Sequence, residues 1–533
     1  MFARSELLDA LSRYWGYPSF RPGQEEIALG IAKGRDACVV MPTGGGKSLC
    51  YQLPAALAEG RTAIVISPLI ALMQDQVAQL EEMGIPAAVF NSSLSPSQRE
   101  SVRRNARSGK YRLLYLSPES IAQDITIRWL RSLAVSFFVI DEAHCISEWG
   151  HDFRPEYRLL SRLRREFPDL TIAAFTASAT QHVRHDIVSQ LGLRDPFKHI
   201  ASFYRPNLRY LVRECSRAEQ ETILLDSLRT LDDGSAIVYA STIKRVEEIQ
   251  EFLHENGIEA VPYHGKMESA DRRKNQQLWS ADEVRVVVGT VAFGLGINKP
   301  GVRKVIHLAL PKSIEQYYQE AGRAGRDLNP ADCLLLWQKR DAAIIAHFIS
   351  QIETAQEKER AWVRYHEVRE FVDNAACRQF EICRHFGERA KWSSCAKCDV
   401  CAGFPGWLSN SIEAARKSRS RTVDAAMSAQ ARESLNLLNR GLSFAEIARR
   451  RGRSLQSVEN LVGGMVERGH CPYRPEWVQP ARYDQICRVA QKIGWERLKP
   501  IKELLPEEIT YGEIRLVAAH QRYQSESRRL PAG

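Results

Sequence analysis

Short apolar runs alternate with longer, helix-compatible segments from about Asp36 to Ala201. The runs are Ala37–Met41, Thr62–Ile66, Tyr111–Leu116, Phe137–Ile140 and Thr171–Phe175. They are apolar almost throughout instead of alternating with polar residues. That is the pattern of parallel strands covered by helices on both faces. A second series repeats the arrangement with Ser235–Tyr239, Ala260–Tyr263, Val284–Val288, Val302–Ile306 and Cys333–Leu336. Ser202-Phe203-Tyr204-Arg205-Pro206-Asn207, between the two series, reads as a linker. Two tandem α/β lobes imply a cleft, and open parallel sheets collect ligands at their carboxyl ends.

From about Asp341 to His385 the pattern turns helical. A Gly- and Pro-bearing stretch follows Cys401 as far as Ser420, and then a mostly helical tail. The tail predicts helices over 428–439, 443–451 and 454–468, with turns at Gly441 and Gly452. Ser443 and Glu446 are spaced as a capping box. Three helices with these turns have helix-turn-helix geometry, the third in the recognition position. A second helical unit is expected from Asp484 to about Tyr523. The implied domains are residues 1–205, 206–345, 346–405 and 406–533.

Composition narrows the class. With 533 residues, 44% hydrophobic and 26% charged, the chain is not a disordered, coiled-coil or collagen-like protein. No run of about 18 apolar residues exists, so no membrane-spanning helix is expected. Arg4, Glu6, Asp9 and Arg13 interrupt the N-terminal apolar stretch, which therefore does not read as a secretory signal. A cytoplasmic protein is expected. The net charge is +10 and the pI about 9.0. From Phe404 onward 22 Lys and Arg face 14 Asp and Glu, so a quarter of the chain holds most of the surplus. Two readings stay open for it, a solvated basic face and a nucleic-acid module.

The first run opens into Pro42-Thr43-Gly44-Gly45-Gly46-Lys47-Ser48 and then a helix-compatible segment. Glycines let backbone N–H groups curl around phosphate oxygens, and the helix N-terminus adds positive potential. Lys47 can reach the outer phosphates and the Ser48 hydroxyl can ligate Mg²⁺. Met41 stands where the common phosphate-loop pattern has its first glycine. The run 137–140 ends in Asp141-Glu142-Ala143-His144. Beside a phosphate loop, Asp141 would hold Mg²⁺ and Glu142 would polarise an attacking water. Upstream, Tyr17, Arg21 and Gln24 offer a ring, a guanidinium and an amide suited to adenine. In the second lobe, Gln319-Glu320-Ala321-Gly322-Arg323-Ala324-Gly325-Arg326 carries two arginines three apart. An arginine from there can enter the first lobe's site and neutralise transition-state charge. Thr290, in the loop Gly289–Asn298, can offer its hydroxyl to a nucleic-acid phosphate.

Eight of the twelve cysteines are scattered singly. Cys395, Cys398 and Cys401 are clustered at zinc-ligand spacing, and Cys377 lies 17 intervening residues earlier. Cys383 and His385 are the nearest competing fourth ligands.

The Pro42–Ser48 loop, Asp141–His144 and the Gln319–Arg326 box together resemble a superfamily-2 helicase. Phe20-Arg21-Pro22-Gly23-Gln24 and the stretch Cys145–Tyr157 are hallmarks of RecQ-type DNA helicases. Ser67–Gln76, Thr176–Thr180, Phe203–Tyr210, Tyr239–Val246 and Val288–Pro300 are similar as well. The resemblance covers about residues 1–405. It implies two tandem RecA-like lobes with parallel sheets, then a helical zinc-binding module, ahead of the α-helical helix-turn-helix tail. It implies ATP-driven 3′-to-5′ unwinding of DNA in recombination and repair.

By the same resemblance Tyr17, Arg21 and Gln24 would recognise adenine. Thr43, Gly44, Gly45, Gly46, Lys47 and Ser48 would hold phosphate, with Ser48 and Asp141 on Mg²⁺. Gln319, Arg323 and Arg326 would respond to the γ-phosphate, Arg326 as the finger. Trp149, His151, Phe153 and Arg154 would couple DNA contact to hydrolysis. Cys377-Arg378 fits the family pattern, which selects Cys377 as the fourth ligand of a structural Zn²⁺. Single-stranded-DNA-binding and repair proteins are candidate partners of a monomeric, nucleoid-associated enzyme. The tail does not resemble the winged helix that usually follows in this family. The rival readings are an RNA helicase of the same superfamily and a helix-turn-helix regulator with a vestigial ATPase.

Overall fold

The structure, a computed structural model, describes residues 3–91, 94–150, 152–293, 299–412, 429–467, 470–495 and 498–527. The chain divides into two compact units, residues 1–412 and 413–533.

The first unit holds two parallel sheets. Seven strands form the first: β1 Ala37–Val40, β2 Thr62–Ile66, β3 Ala87–Phe90, β4 Leu113–Leu116, β5 Val135–Ile140, β6 Thr171–Thr176 and β7 Phe197–Ile200, in the order β3-β4-β2-β5-β6-β1-β7. β1, β2 and β4 are buried along their whole length, as continuous apolar runs require. β3 and β7 add to the runs singled out by pattern. Phe197-Lys198-His199-Ile200 alternates because β7 is an edge strand, half-covered. β5 and β1 flank β6, so the loops that leave them emerge side by side at one edge.

Six strands form the second sheet: β8 Leu208–Glu214, β9 Ser235–Tyr239, β10 Ala260–Tyr263, β11 Val286–Gly289, β12 Val302–His307 and β13 Ala331–Trp337, in the order β10-β11-β9-β12-β13-β8. These are the two RecA-like lobes. A helical region follows, with long helices Lys339–Ser350 and Ala355–Asp373 and the shorter Arg378–His385.

Two segments that pattern leaves as connectors are packed. In the expected linker, the buried Phe203 stacks on Phe386 with ring centroids 4.2 Å apart, and Arg205 is buried. After Cys401, residues 406–412 are helical. Leu408 and Ile412 join the core of the second lobe, with Phe404 and Trp407 packed against it. Lys304 Nζ lies 5.0 Å from the Trp407 ring. The Gly and Pro residues there begin a short helix instead of opening a free linker. Among the described residues no helix is long and apolar enough to cross a membrane.

The second unit is helical, with helices Ala429–Asn439, Phe444–Arg450, Leu455–Glu467, Pro480–Ile493, Leu498–Glu503 and Tyr511–Ser527. Ser443 and Glu446 form the expected capping box. The helix in the recognition position buries Val458, Val462, Met465 and Val466. It lies close to the last helix, because Gly463 faces Arg515 and Gly512 faces Glu459 where a Cβ would crowd. Leu455, Gln456 and Asn460 are its exposed residues, and it carries no Lys or Arg between 455 and 467.

Candidate active site

β1 runs through residues 42–46 into helix Lys47–Leu57. Gly44 and Gly46 lie in the left-handed region, at φ +83° and +81°, where other residues are strained. A Cβ on Gly46 would stand 2.3 Å from Gln24 Nε2, so the cradle accepts only glycine there. Gln24 is buried beneath the loop. Its amide donates to Gly45 O at 3.2 Å and its carbonyl accepts the Arg21 N–H at 2.9 Å. Arg21 Nη1 donates to Gly44 O at 2.8 Å. Arg21 and Gln24 thus shape the phosphate loop directly, beyond the adenine role their side chains suggested.

A cavity of about 680 Å³ opens over this loop. Tyr17, Arg21, Gln24, Thr43, Gly44, Gly46, Lys47, Ser48, Asp141 and Glu142 line it from the first lobe, and Gln319, Arg323 and Arg326 from the second. Gly45 does not line it. Trp15 does, and nothing in its local pattern singled it out; Pro300, the end of the recognised stretch Val288–Pro300, does so too. Lys47 Nζ donates to Met41 O at 3.1 Å. Burial lowers the Lys47 ammonium, while Glu142 and Asp141 draw it back up. Burial, then the Glu142 charge, push the Asp141 carboxyl up to about 7. Burial, with the like charges of Arg323 and Arg205, pushes Arg326 down to about 9. A polyphosphate with its divalent cation would relieve both: the paired acids would hold the cation and the crowded guanidinium groups would face the phosphates.

Glu142 has φ 48° and ψ 44°, left-handed for a residue with a side chain, a conformation costing about 1–2 kcal/mol. Its N–H donates to Asp141 Oδ1 at 3.0 Å, and Tyr157 Oη donates to Asp141 O at 2.9 Å. His144 Nδ1 lies 3.3 Å from Glu142 Oε2 and 2.8 Å from Thr176 Oγ1. The Ser178 N–H donates to Thr176 Oγ1 at 3.3 Å, and Gln319 Nε2 donates to Ser178 Oγ at 2.8 Å. A continuous polar chain therefore runs from Glu142 to the second lobe. His144, Thr176 and Ser178 lay within recognised stretches, but only the tertiary contacts give them this task.

Arg205 is a further residue that sequence reasoning left in a linker. Its guanidinium donates to Thr43 O and Gly322 O, both at 3.4 Å, to Ala324 O at 3.2 Å and to Gly325 O at 3.1 Å. It pins the phosphate loop to the arginine-bearing segment of the second lobe.

The nucleic-acid candidates lie away from the cavity. Trp149 is 41% exposed, its ring 5.1 Å from that of His182. The Phe153 ring lies 5.6 Å from the Arg158 guanidinium. Arg154 pairs with Asp152 at 3.1 Å. Thr290 Oγ1 accepts the Ala292 N–H at 3.4 Å at the end of β11. His151 and residues 294–298 of the Thr290 loop lie outside the described residues.

Cys377, Cys395, Cys398 and Cys401 bring their sulfur atoms within 4.8 Å of one another. Four thiolates at that separation fit one tetrahedral Zn²⁺ with no open position. Cys383 and His385 do not join the cluster, and His385 Nε2 pairs instead with Glu315 at 2.8 Å. Arg378, buried beside Cys377, pairs with the equally buried Asp399 at 2.9 Å and so braces the cluster from behind.

Four family descriptions match in series: DEAD/DEAH box helicase over residues 21–186, helicase conserved C-terminal domain over 219–327, RecQ zinc-binding over 339–402 and helix-turn-helix domain over 430–518. The chain is 43% identical over 398 residues to the ATP-dependent DNA helicase RecQ of Haemophilus influenzae, covering 75% of this chain and 64% of that one. It is 40% identical over 395 residues to the Bacillus subtilis protein of the same name, covering 73% and 66%. It thus spans just under two thirds of the length of these relatives. In fold the chain is similar to the DUF1998 helicase MrfA bound to DNA, with a TM-score of 0.55, 22% identity, 65% of this chain and 53% of that one. It is also similar to Saccharomyces cerevisiae Dbp5 bound to RNA and ADP BeF3, with a TM-score of 0.52, 17% identity, 68% of this chain and 97% of that one.

Proposed function

We propose that the chain, which over its first three quarters is similar to RecQ helicases, is an ATP-dependent DNA helicase moving 3′ to 5′ on a single strand. We place it in recombination and repair, in the cytoplasm at the nucleoid. One observation carries this reading: a single cavity is lined by Lys47, Asp141 and Glu142 of one lobe and by Gln319, Arg323 and Arg326 of the other.

ATP binds with its adenine near Tyr17, Arg21 and Gln24 and its phosphates on residues 43–48. Mg²⁺, held by Ser48 and Asp141, supplies charge neutralisation to the phosphates when bound. Glu142, fixed by its left-handed backbone and by His144, orients the attacking water. Arg326 enters from the second lobe and stabilises the charge that develops on the transferring phosphoryl group. Loss of that charge after hydrolysis removes the attraction across the cleft, and the lobes separate. Trp149, His151, Phe153, Arg154 and Thr290 grip the strand, with aromatic stacking that suits any base. The zinc cluster is structural. The basic tail anchors the motor to DNA through phosphate contacts.

A Lys47→Ala chain tests the reading. Its ATPase should fall at least about 100-fold with single-stranded DNA binding retained. Unwinding of a 3′-tailed duplex by the unaltered chain should exceed that of a 5′-tailed one. Dbp5 is described bound to RNA, so stimulation of the ATPase by single-stranded DNA and by RNA is compared side by side. Full hydrolysis by the Lys47 variant, or stimulation by RNA alone, overturns the assignment.

A further inference from the structure

The aromatic loop is fastened at two points. Toward the first lobe, the Ser147 hydroxyl bonds Asp186 at 2.5 Å and accepts the Trp149 N–H at 3.2 Å. A Cβ on Gly150 would stand 2.6 Å from His144 O, so the loop is wound tightly onto the residue that holds Glu142. The second fastening is Glu148, between Ser147 and Trp149. Its Oε1 pairs with Arg158 Nη2 at 3.0 Å, and its Oε2 pairs with Arg360 Nη1 at 2.9 Å. Arg158 also lies over the Phe153 ring. Arg360 belongs to helix Ala355–Asp373, outside both lobes. One carboxylate therefore joins both aromatic side chains' surroundings to the helical region.

The surroundings of Arg360 suit an anion. Arg360 and Arg364 line a cavity of about 420 Å³ together with the half-exposed Trp149; Arg384 lines it too but is already paired with Glu370 at 3.1 Å and with Glu381. Glu315, Glu367 and His385 line it as well, with His385 Nε2 paired to Glu315 at 2.8 Å. Burial lowers Arg364, and the like charge of Arg360 adds to this while Glu315 opposes it. A guanidinium cluster beside an indole face matches one phosphate and its neighbouring base. In the described geometry Glu148 stands where that phosphate would compete.

We propose that Glu148 is a positioning residue that latches the aromatic loop to Arg360 when no DNA is bound, and that a strand phosphate displaces it from Arg360. The inference rests on the helicase reading above. Release of Glu148 frees Trp149 to stack on a base, and the loop's tight packing on His144 carries the movement to Glu142. The latch thereby holds hydrolysis low until DNA arrives.

The test uses the full chain with Glu148→Gln, which keeps shape and removes charge, and with Arg360→Gln. ATPase is measured without DNA and across a titration of oligo-dT at several salt concentrations. Glu148→Gln should raise DNA-free hydrolysis about fivefold and lower the half-stimulating DNA concentration, with the DNA-saturated rate unchanged. Arg360→Gln should also raise DNA-free hydrolysis but increase the half-stimulating concentration. Its slope of log affinity against log salt should fall by about 0.7, the share of one lost phosphate contact on a single strand. A purely structural pair would move neither the split between the two parameters nor the salt slope. If the unaltered chain is DNA-stimulated and Glu148→Gln matches it in both parameters, the latch is overturned alone. An unaltered chain whose ATPase ignores DNA overturns the helicase reading and the latch with it.

Discussion

Gln319 of the second lobe donates its side-chain amide to Ser178 Oγ of the first at 2.8 Å. The bond closes the polar chain that begins at Glu142 and passes through His144 and Thr176. It ties the second lobe to Glu142, the acid proposed to orient the attacking water. Gln319→Ala removes one hydrogen bond of about 1 kcal/mol, plus the alignment it maintains. Steady-state ATPase should show kcat lowered about tenfold with KM changed much less. Ser178→Ala should reproduce the effect, and the double variant should be no worse than either single one. Additive losses would mean that the two residues act separately.

Asp141 gives a pH dependence with a defined sign. Its carboxyl is raised from its ordinary value of 3.8 to about 7 by burial and by Glu142. A proton on Asp141 therefore favours the folded, metal-free protein. That contribution is complete below about 3.8 and is lost as pH rises through about 7. Mg²⁺ held by Asp141, as proposed, would take the proton's place. The rise in Tm on adding Mg²⁺ should thus be small near about pH 5.5 and grow as pH passes through 7, and Asp141→Asn should flatten it. Thermal melts with and without Mg²⁺ check this. An increment independent of pH in the unaltered chain contradicts it.

The segment 406–412 belongs to the second lobe's core. Leu408 is fully buried there. Leu408→Ala should cost about 2–4 kcal/mol, read as a lower denaturant midpoint. A chain ending at Ile412 should keep the melting temperature of the motor. A chain ending at Pro405 should lose several degrees, because it strips Trp407, Leu408 and Ile412 from that core.

The zinc cluster and its brace should fail together. Removal of Arg378 leaves Asp399 buried without its partner, which costs about 3–5 kcal/mol. Arg378→Ala should release zinc at lower chelator concentrations than the unaltered chain, followed with a metal indicator. Cys398→Ser should bind less than one zinc per chain, whereas Cys383→Ser should bind as much as the unaltered chain.

Much of the motor was legible along the chain, because continuous apolar runs followed by glycine or acidic residues have few structural meanings. The phosphate loop, the acid pair and the cysteine spacing are local patterns whose chemistry depends on near neighbours. β7 and the 406–412 helix were not legible. The first alternates because an edge strand is half-covered, and the second carries residues that usually mark a loop. The linker reading of 202–207 missed Arg205, since a guanidinium that bonds backbone carbonyls from two lobes has no counterpart in local sequence.

The sequence by itself determined the Gly-rich loop of residues 42–48, the acidic pair, the cysteine cluster and the two-lobe order, because each is written in local sequence patterns. Tertiary structure alone decided which side chains connect them. Arg205 reaches both lobes, Gln319 reaches Ser178 and Glu148 reaches Arg360. Those partners are separated by 100 residues or more: the first two pairs meet because parallel sheets return successive strand ends to the same edge, the third because helix Ala355–Asp373 brings Arg360 to the aromatic loop.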